Sequence, residues 1–298
     1  MENLEQLYIF GEVLFDCFPT GEHILGGAPF NVAWHLQALG DQPRFISRVG
    51  NDERGKKILQ AMGNWEMSTA DVQVDKGHPT GRVEVTITDS EPSYDIVPDS
   101  AYDFISAEQL SKPVMAGILY HGTLCLRNLR ARDTLSKISH NENLKIFLDV
   151  NLRPPWWQRD NVFEWLKNAN WAKMNQEELR LLGAAATDIR QQMAELQTTC
   201  ELEQLIVTRG EQGALVRTIN GEFHSHRPEK AERLVDTVGA GDAFSAIYIH
   251  GLRAGWPIST TLANAQKLAS KVVGIRGAIT TDAAFYQDFI TSLSVNND

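Results

Sequence analysis

Cysteine is scarce in this 298-residue chain: Cys17, Cys125 and Cys200, widely spaced and odd in number. No Cys-x-x-Cys occurs, so neither a disulfide framework nor a zinc site is indicated. No basic run appears either. The 28 Lys and Arg stand against 38 Asp and Glu, a formal net charge of -10, which argues against nucleic acid as a partner. No apolar run approaches the ~20 residues that span a bilayer. The acidic start, Met1-Glu2-Asn3-Leu4-Glu5, lacks an apolar signal region. The expectation is a cytoplasmic protein without a membrane partner. Internal repeats, low-complexity segments and helical His-x-x-x-His pairs are missing. So is Gly-x-x-x-x-Gly-Lys-Ser/Thr, which argues against a P-loop enzyme. A dinucleotide oxidoreductase needs Gly-x-Gly-x-x-Gly after the first strand. Here Gly239-x-Gly241 has Phe244 in the third place and lies near the other end of the chain.

What is present is an ordinary globular composition, 43% hydrophobic and 22% charged, long enough for one large α/β domain or two smaller ones. One stretch organises the rest: Asp236-Thr237-Val238-Gly239-Ala240-Gly241-Asp242-Ala243-Phe244. The apolar spacing of Phe244, Ile247, Tyr248 and Leu252 predicts a helix that starts near Gly241. The Gly239, Ala240 and Gly241 amides would then be free donors at a positive helix end, with small side chains that let an anion approach. A carboxylate there repels a phosphate. Asp242 makes sense if it takes a proton from a hydroxyl that attacks phosphorus. The same residues also suit a loop that packs a helix on a sheet, with Asp242 as a terminal charge.

Along the chain, Tyr8 to Phe18 reads as a first strand that carries Glu12 and Asp16. Gly26-Gly27-Ala28-Pro29-Phe30-Asn31 reads as a tight loop feeding a helix that ends before Gly40. Asn31 falls in its first turn, as a capping residue or a ligand. Phe45–Gly50 reads as a strand, 51–55 as a loop and Lys56–Met62 as a helix. Val83, Val85 and Ile87 alternate with polar residues, a turn follows at 90–93, and Tyr94–Val97 is a second short strand. This is an antiparallel flap with one wet face. From about residue 110 the pattern is α/β. Strands are expected at 118–121, 145–148, 171–174, 204–208 and 214–217, with a helix at 127–139. Asp149, Asn151 and Arg153 follow a buried strand and, spaced by two, would face one way where ligands bind in open sheets. Asn175 and Glu178 suit a capping box. Thr208-Arg209-Gly210-Glu211-Gln212-Gly213 is a glycine turn that lets a ligand near backbone. His224 and His226 share a strand face. With no third ligand nearby they read as exposed hairpin residues rather than a metal site.

Gly26–Asn31 resembles the N-terminal signature of ribokinase-like (PfkB-type) carbohydrate kinases, and Asp236–Phe244 resembles their C-terminal signature. The two lie about two hundred residues apart, and the resemblance runs along essentially the whole chain. Asp149-Val150-Asn151-Leu152-Arg153-Pro154, the start Gly11-Glu12-Val13-Leu14-Phe15-Asp16 and Ala101-Tyr102-Asp103 look most like bacterial fructokinases.

This resemblance implies a three-layer α/β/α sandwich with a mostly parallel sheet. It implies a single domain over 1–298 with a small β lid from roughly 12–25 and 80–104. It implies ATP- and Mg²⁺-dependent phosphorylation of a sugar hydroxyl, with D-fructose to fructose 6-phosphate as the first expectation. Asp242 would be the base, and Gly239, Ala240 and Gly241 the anion hole. Asp16, Gly27 and Asn31 would hold sugar hydroxyls, and Arg153 would reach sugar or phosphate. Thr208, Gly210 and Gly213 would contact the nucleotide, with Asn264 near the adenine. Asn175 and Glu178 match an Asn-x-x-Glu motif that organises Mg²⁺ through water, beside their capping role. A K⁺ site is expected from Asp236, Val238, Val272, Gly277 and Thr281. The alternative is that Asp236 only caps its loop. Val238 stands where ribokinase has threonine, so only its carbonyl can serve. A homodimer through the β lid is a further expectation. A kinase of 2-keto-3-deoxygluconate competes, with Tyr94 and Arg82 as extra donors, and ribose and nucleosides follow. Outside the kinases the rival is a catalytically silent sugar sensor.

Overall fold

The computed structural model describes residues 6–88, 91–183, 188–228 and 234–294. The chain opens with β1 (Leu7–Phe10), β2 (Leu14–Cys17) and β3 (His23–Gly26), then α1 (Ala28–Ala38), β4 (Arg44–Gly50), α2 (Glu53–Asn64) and β5 (Val72–Asp75). Next come β6 (Gly81–Thr88), β7 (Glu91–Ile96), β8 (Gly117–His121), α3 (Leu129–Ser139), β9 (Leu144–Asp149), α4 (Arg159–Lys167) and β10 (Trp171–Asn175). The last part carries α5 (Gln176–Leu182), α6 (Ile189–Cys200), β11 (Gln204–Thr208), β12 (Ala214–Thr218), β13 (Phe223–His226), α7 (Ala240–Ala254), α8 (Ile258–Val272) and α9 (Ala283–Ser294).

Among the described residues the strands form a nine-stranded sheet, ordered β13-β12-β11-β10-β9-β8-β1-β4-β5, and a four-stranded sheet, β3-β2-β6-β7. From β11 to β5 every neighbouring pair of the large sheet is parallel, and only the pairs β11–β12 and β12–β13 are antiparallel. A parallel sheet needs apolar cover on both faces. In β1, Leu7 and Ile9 point to one face, where they join Phe30 and Trp34 of α1, Phe244 and Tyr248 of α7 and Leu262 of α8. Tyr8 and Phe10 point to the other, beside Leu135 of α3. Farther along that second face, Met174 of β10 and Val207 of β11 pack with Val162, Leu179 and Met193 of α4, α5 and α6. The three-layer sandwich is therefore present, with a small second sheet.

Several sequence expectations shift. The single strand at 8–18 is two strands in different sheets. Gly11 (φ 151°) gives its N–H to Ile46, and a Cβ there would lie 2.4 Å from Pro29 Cγ, so the chain must turn off the large sheet. The small sheet is mixed, because β2 pairs with β6 in parallel. Within its hairpin, Glu91–Ser93 belong to β7 rather than to a turn, and Ser90 lies outside the described residues. Helix α2 begins at Glu53, because the Asp52 side chain accepts from the Gly55 amide and caps it early. Helix α3 follows a 3₁₀ turn at Leu124–Arg127 and starts at Leu129. Finally, Asn151 sits at φ 38°, so the extended backbone assumed for Asp149, Asn151 and Arg153 breaks, and the three do not share a face.

Candidate active site

The first half of the site lies where the chain crosses between the sheets. Gly27 caps α1 at φ 110°, and a Cβ there would lie 2.7 Å from the Glu12 carbonyl. Only glycine lets the two segments touch so closely. Beside it, Gly26 faces Asn31 Oδ1 and Asp16 Oδ2, each 3.9 Å from where its side chain would begin. Asn31 Nδ2 donates to Asp242 Oδ2 at 2.7 Å, which joins the two signature segments across 211 residues. Asp16 and Asp242 both have their pKa pushed up to about 6, chiefly by burial, with the Arg153 charge opposing. For Asp242 the Asn31 hydrogen bond and Lys173 also oppose. Burial pushes Glu12 further, to about 7. Among the described residues, Glu12 Oε2 and Asn31 Oδ1 are buried without a hydrogen-bond partner. Such orphans are rare in native proteins and mark a place for a donor.

The second half is the turn into α7. Gly239 (φ 81°) caps the helix, and its Cβ would lie 2.2 Å from Ala278 Cβ, so the turn is pressed onto Ala278. Gly241 is exposed and Asp242 half-buried in the first helical turn. Beneath them runs a chain of polar contacts that the sequence reading missed. Lys173 Nζ donates to Asp149 Oδ2 at 2.8 Å, and Ser245 Oγ donates to the same oxygen at 2.8 Å. Tyr120 OH donates to it at 3.5 Å. The Lys173 side chain would meet a Cβ at Gly241 at 3.1 Å. Burial pushes the lysine pKa down, but Asp149 raises it more, so it stays charged. The available signal was a lysine in the middle of an apolar strand, Trp171-Ala172-Lys173-Met174, since a buried cation requires a partner.

Arg153 is exposed just beyond β9, and no hydrogen bond engages its guanidinium among the described residues. Its charge acts on Glu12, Asp16, Asp242 and Tyr94.

A cleft of about 370 Å³ opens at the ends of β10 and β11, where Asn175, Glu177, Arg180, Thr208, Arg209 and Gly210 line it. The cations Arg180 and Arg209 are additions to the sequence reading. Asn175 and Glu178 form the expected capping box, each side chain accepting at 2.8 Å. Glu178 Oε1 also accepts from the Leu152 amide at 2.7 Å. Gly210 (φ 54°) faces open space. Gly213 (φ 86°) is buried, and a Cβ there would lie 2.0 Å from the His226 carbonyl. Its glycine thus serves packing on β13. Asn264 is buried on α8 and does not line this cleft.

Around Asp236 the carboxylate accepts from the Val238 amide at 3.0 Å and from the Gly277 amide at 3.2 Å. The Val272 carbonyl takes the Ile275 amide at 3.1 Å, and Thr281 is exposed. His224 and His226 are half-buried on the edge strand rather than fully exposed, with Glu222 3.9 Å from His224.

Two glycine signatures brought together by one hydrogen bond are matched by the model of the pfkB family carbohydrate kinases, over residues 12–284. The chain belongs to the PfkB family of carbohydrate kinases. It is therefore a sugar kinase, a transferase. Among its relatives is a fructokinase of Klebsiella pneumoniae, 30% identical over 92% of this chain and 95% of the relative. Among solved structures, a sugar kinase of Pyrococcus horikoshii in complex with ATP is 25% identical, with a TM-score of 0.78 over 91% of this chain and 93% of the other. A fructokinase of Vibrio cholerae in fructose, ADP and calcium bound form shares the fold, with a TM-score of 0.81 at 24% identity over 96% and 99% of the chains. The kinase has no described helix long and apolar enough to cross a membrane.

Proposed function

We propose that this kinase transfers the γ-phosphate of ATP to a hydroxymethyl group of a monosaccharide, with D-fructose to fructose 6-phosphate as the leading reaction. The 2.7 Å bond between Asn31 and Asp242 carries the reading. It fixes a carboxylate at a helix N-terminus, beside polar atoms that await donors. In this reading the sugar lies against Asp16, Gly27 and Asn31, under the small sheet as a lid. Its hydroxyl oxygen attacks phosphorus and gives its proton to Asp242, the P–O bond to ADP breaks, and the Gly239–Gly241 amides receive the transferring oxygens. Arg153, which no hydrogen bond engages among the described residues, is the cation that reaches sugar or phosphate. The nucleotide occupies the cleft at Asn175, Thr208 and Gly210. Asn264, buried away from that cleft, is kept only as a residue behind the adenine.

Mg²⁺ fits this site as a companion of the nucleotide phosphates. No group of three or more His, Cys, Asp or Glu among the described residues could hold a metal by itself. Mg²⁺ keeps waters and leans on one or two carboxylates plus phosphates. Glu178, with one amide on each oxygen, keeps acceptor capacity for such a water. When bound, the ion would neutralise phosphate charge.

The oxygen-only set of Asp236 with the carbonyls of Val238, Val272 and Gly277 suits K⁺, with Thr281 at its margin. The ion would offset a carboxylate that otherwise repels ATP. Titration with KCl against choline chloride at matched ionic strength should raise activity only with KCl. Equal effects would leave Asp236 as the loop cap that its two amide bonds describe.

The fructokinase relative supports fructose. One observation keeps a sugar acid as second reading: Tyr94 is 52% exposed on β7 and feels the charges of Asp16 and Arg153. Arg82, the other suggested donor, is already paired with Glu84 at 2.6 Å. The test is ADP release with ATP, Mg²⁺ and a panel of D-fructose, 2-keto-3-deoxygluconate, ribose and nucleosides. Fructose should give the highest kcat/KM. A higher value for the keto acid would transfer the assignment to it.

A further inference from the structure

We infer that Lys173 is a positioning residue for phosphoryl transfer: its buried ammonium, bridged through Asp149 and Ser245 to the first turn of α7, holds the Asp242 carboxylate and the Gly239–Gly241 turn in their reactive arrangement. The inference rests on the reading of Asp242 as the base.

The first argument is the lysine's improbable place. It is 6% exposed in the middle of β10, between Ala172 and Met174, and its partner Asp149 is 2% exposed. A buried ion pair is weak evidence for stability, since well-packed apolar residues of similar volume often do as well or better. Folding alone does not call for it.

The second argument is Gly241. Its backbone does not adopt the left-handed region that demands glycine, and among the described residues outside its own helical turn the sole atom within 4 Å of a Cβ placed there is Lys173 Nζ, at 3.1 Å. The glycine therefore makes room for the ammonium directly below the exposed turn. Ser245 ties the two together, because its hydroxyl lies 2.8 Å from Asp149 and 3.0 Å from the Gly241 carbonyl.

The third argument is the field at Asp242. Asn31 faces it from α1, Lys173 from β10, Asp149 from the end of β9 and Arg153 from the segment beyond. Glu12 in the β1–β2 connection and Tyr120 on β8 both feel its charge. Lys173 itself faces Asp149, Asp242 and Glu178. Burial and Asp149 push Asp242 toward its protonated, useless form. The Asn31 hydrogen bond, Lys173 and Arg153 resist, and of the two cations only Lys173 is buried and fixed by a hydrogen bond.

The experiment compares Lys173→Met, Lys173→Arg, the double variant Lys173→Met/Asp149→Asn, and Asp242→Asn as control. Each is read by thermal melting, by kcat and sugar KM, and by the pH profile of kcat/KM. The double variant leaves no buried unpaired charge, so it should stay folded even if Lys173→Met does not. Its kcat should be about 10²–10³ lower, the scale of a lost preorganised electrostatic contact, with sugar KM changed far less. In folded Lys173→Met, where Asp149 is native, the acid limb of kcat/KM should move to higher pH by about one unit. Lys173→Arg should recover part of kcat. A folded double variant with kcat near wild type overturns the inference, as does folded Lys173→Met with an unmoved acid limb. Normal turnover in Asp242→Asn would overturn the base reading and this inference with it. A dead Asp242→Asn beside an active double variant would sink the inference alone.

Discussion

On the sugar side of the site, Glu12 and Asn31 hold buried oxygens without partners, and Asp16, Asp242 and Glu12 are pushed up to about 6, 6 and 7. On the nucleotide side, Asn175 and Glu178 close each other's hydrogen bonds, Gly213 is locked against β13, and the buried group left without a partner among the described residues is a cationic donor, Arg209 Nε. The difference follows from what each side must do. A group that exchanges a proton or accepts a sugar hydroxyl has to be left ready for a partner, and the fold carries that strain. A nucleotide can be bound by backbone that is finished beforehand.

If that contrast is right, substitutions on the sugar side should reduce rate, and those on the nucleotide side should reduce stability or affinity. The largest effect is expected for Asp242→Asn. Its kcat should fall by ~10²–10⁴, the range for a lost general base. Calorimetry should still show sugar and ATP binding, because other groups hold them. Turnover near normal would erase the distinction between the two sides. Arg153→Lys keeps the charge but loses the planar fork. Its kcat/KM should drop about tenfold or more, since one hydrogen bond to a charged group is worth ~1.5–3 kcal/mol. Full activity with lysine would place Arg153 on the surface and outside the reaction.

The smallest effects sharpen the nucleotide side. Gly210 and Gly213 both sit at positive φ, but only Gly213 is in close contact. Gly210→Ala should lose about 1–2 kcal/mol of unfolding free energy from the left-handed backbone alone. Gly213→Ala should lose more, by the clash with the His226 carbonyl. Denaturant unfolding of the two variants checks this. Equal losses would show that the contact at Gly213 relaxes freely.

Much of this was legible in the sequence because the two signatures are long and glycine-rich, and glycine there has a geometric reason. Apolar runs gave the parallel strands, and the Asn175–Glu178 spacing gave a cap that the structure contains. Other features depended on tertiary contacts. A lone Gly11 reads as an interruption in a strand, yet the approach of Pro29 makes it the point where the chain changes sheets. Spacing by two suggested that Asp149 and Arg153 act together, but the turn at Asn151 sends one into the core and the other to the surface. Lys173 was passed over because its local signal, a lysine inside an apolar strand, does not name the partner that makes it functional. Its partner Asp149, and Ser245 that shares the same carboxylate oxygen, come from other elements, 24 and 72 positions away in number. Gly213 reads as part of a ligand turn, and its close approach to the His226 carbonyl gives it a packing role as well, which only the fold reveals.

The central claim is that Asp242 works as a base whose ionisation burial has moved into the range where it can be measured. The direct test is kcat/KM for the preferred sugar against pH, run on the wild type and on Asp16→Asn so that Asp16 does not confuse the limb. A base must be ionised, so activity should be full above its pKa and fall as pH drops through it. The account predicts an acid limb near pH 6, about the value to which burial raises Asp242, present in both proteins. A profile that stays flat down to about pH 4, the ordinary range for an aspartate, would contradict it, and so would a limb that disappears with Asp16.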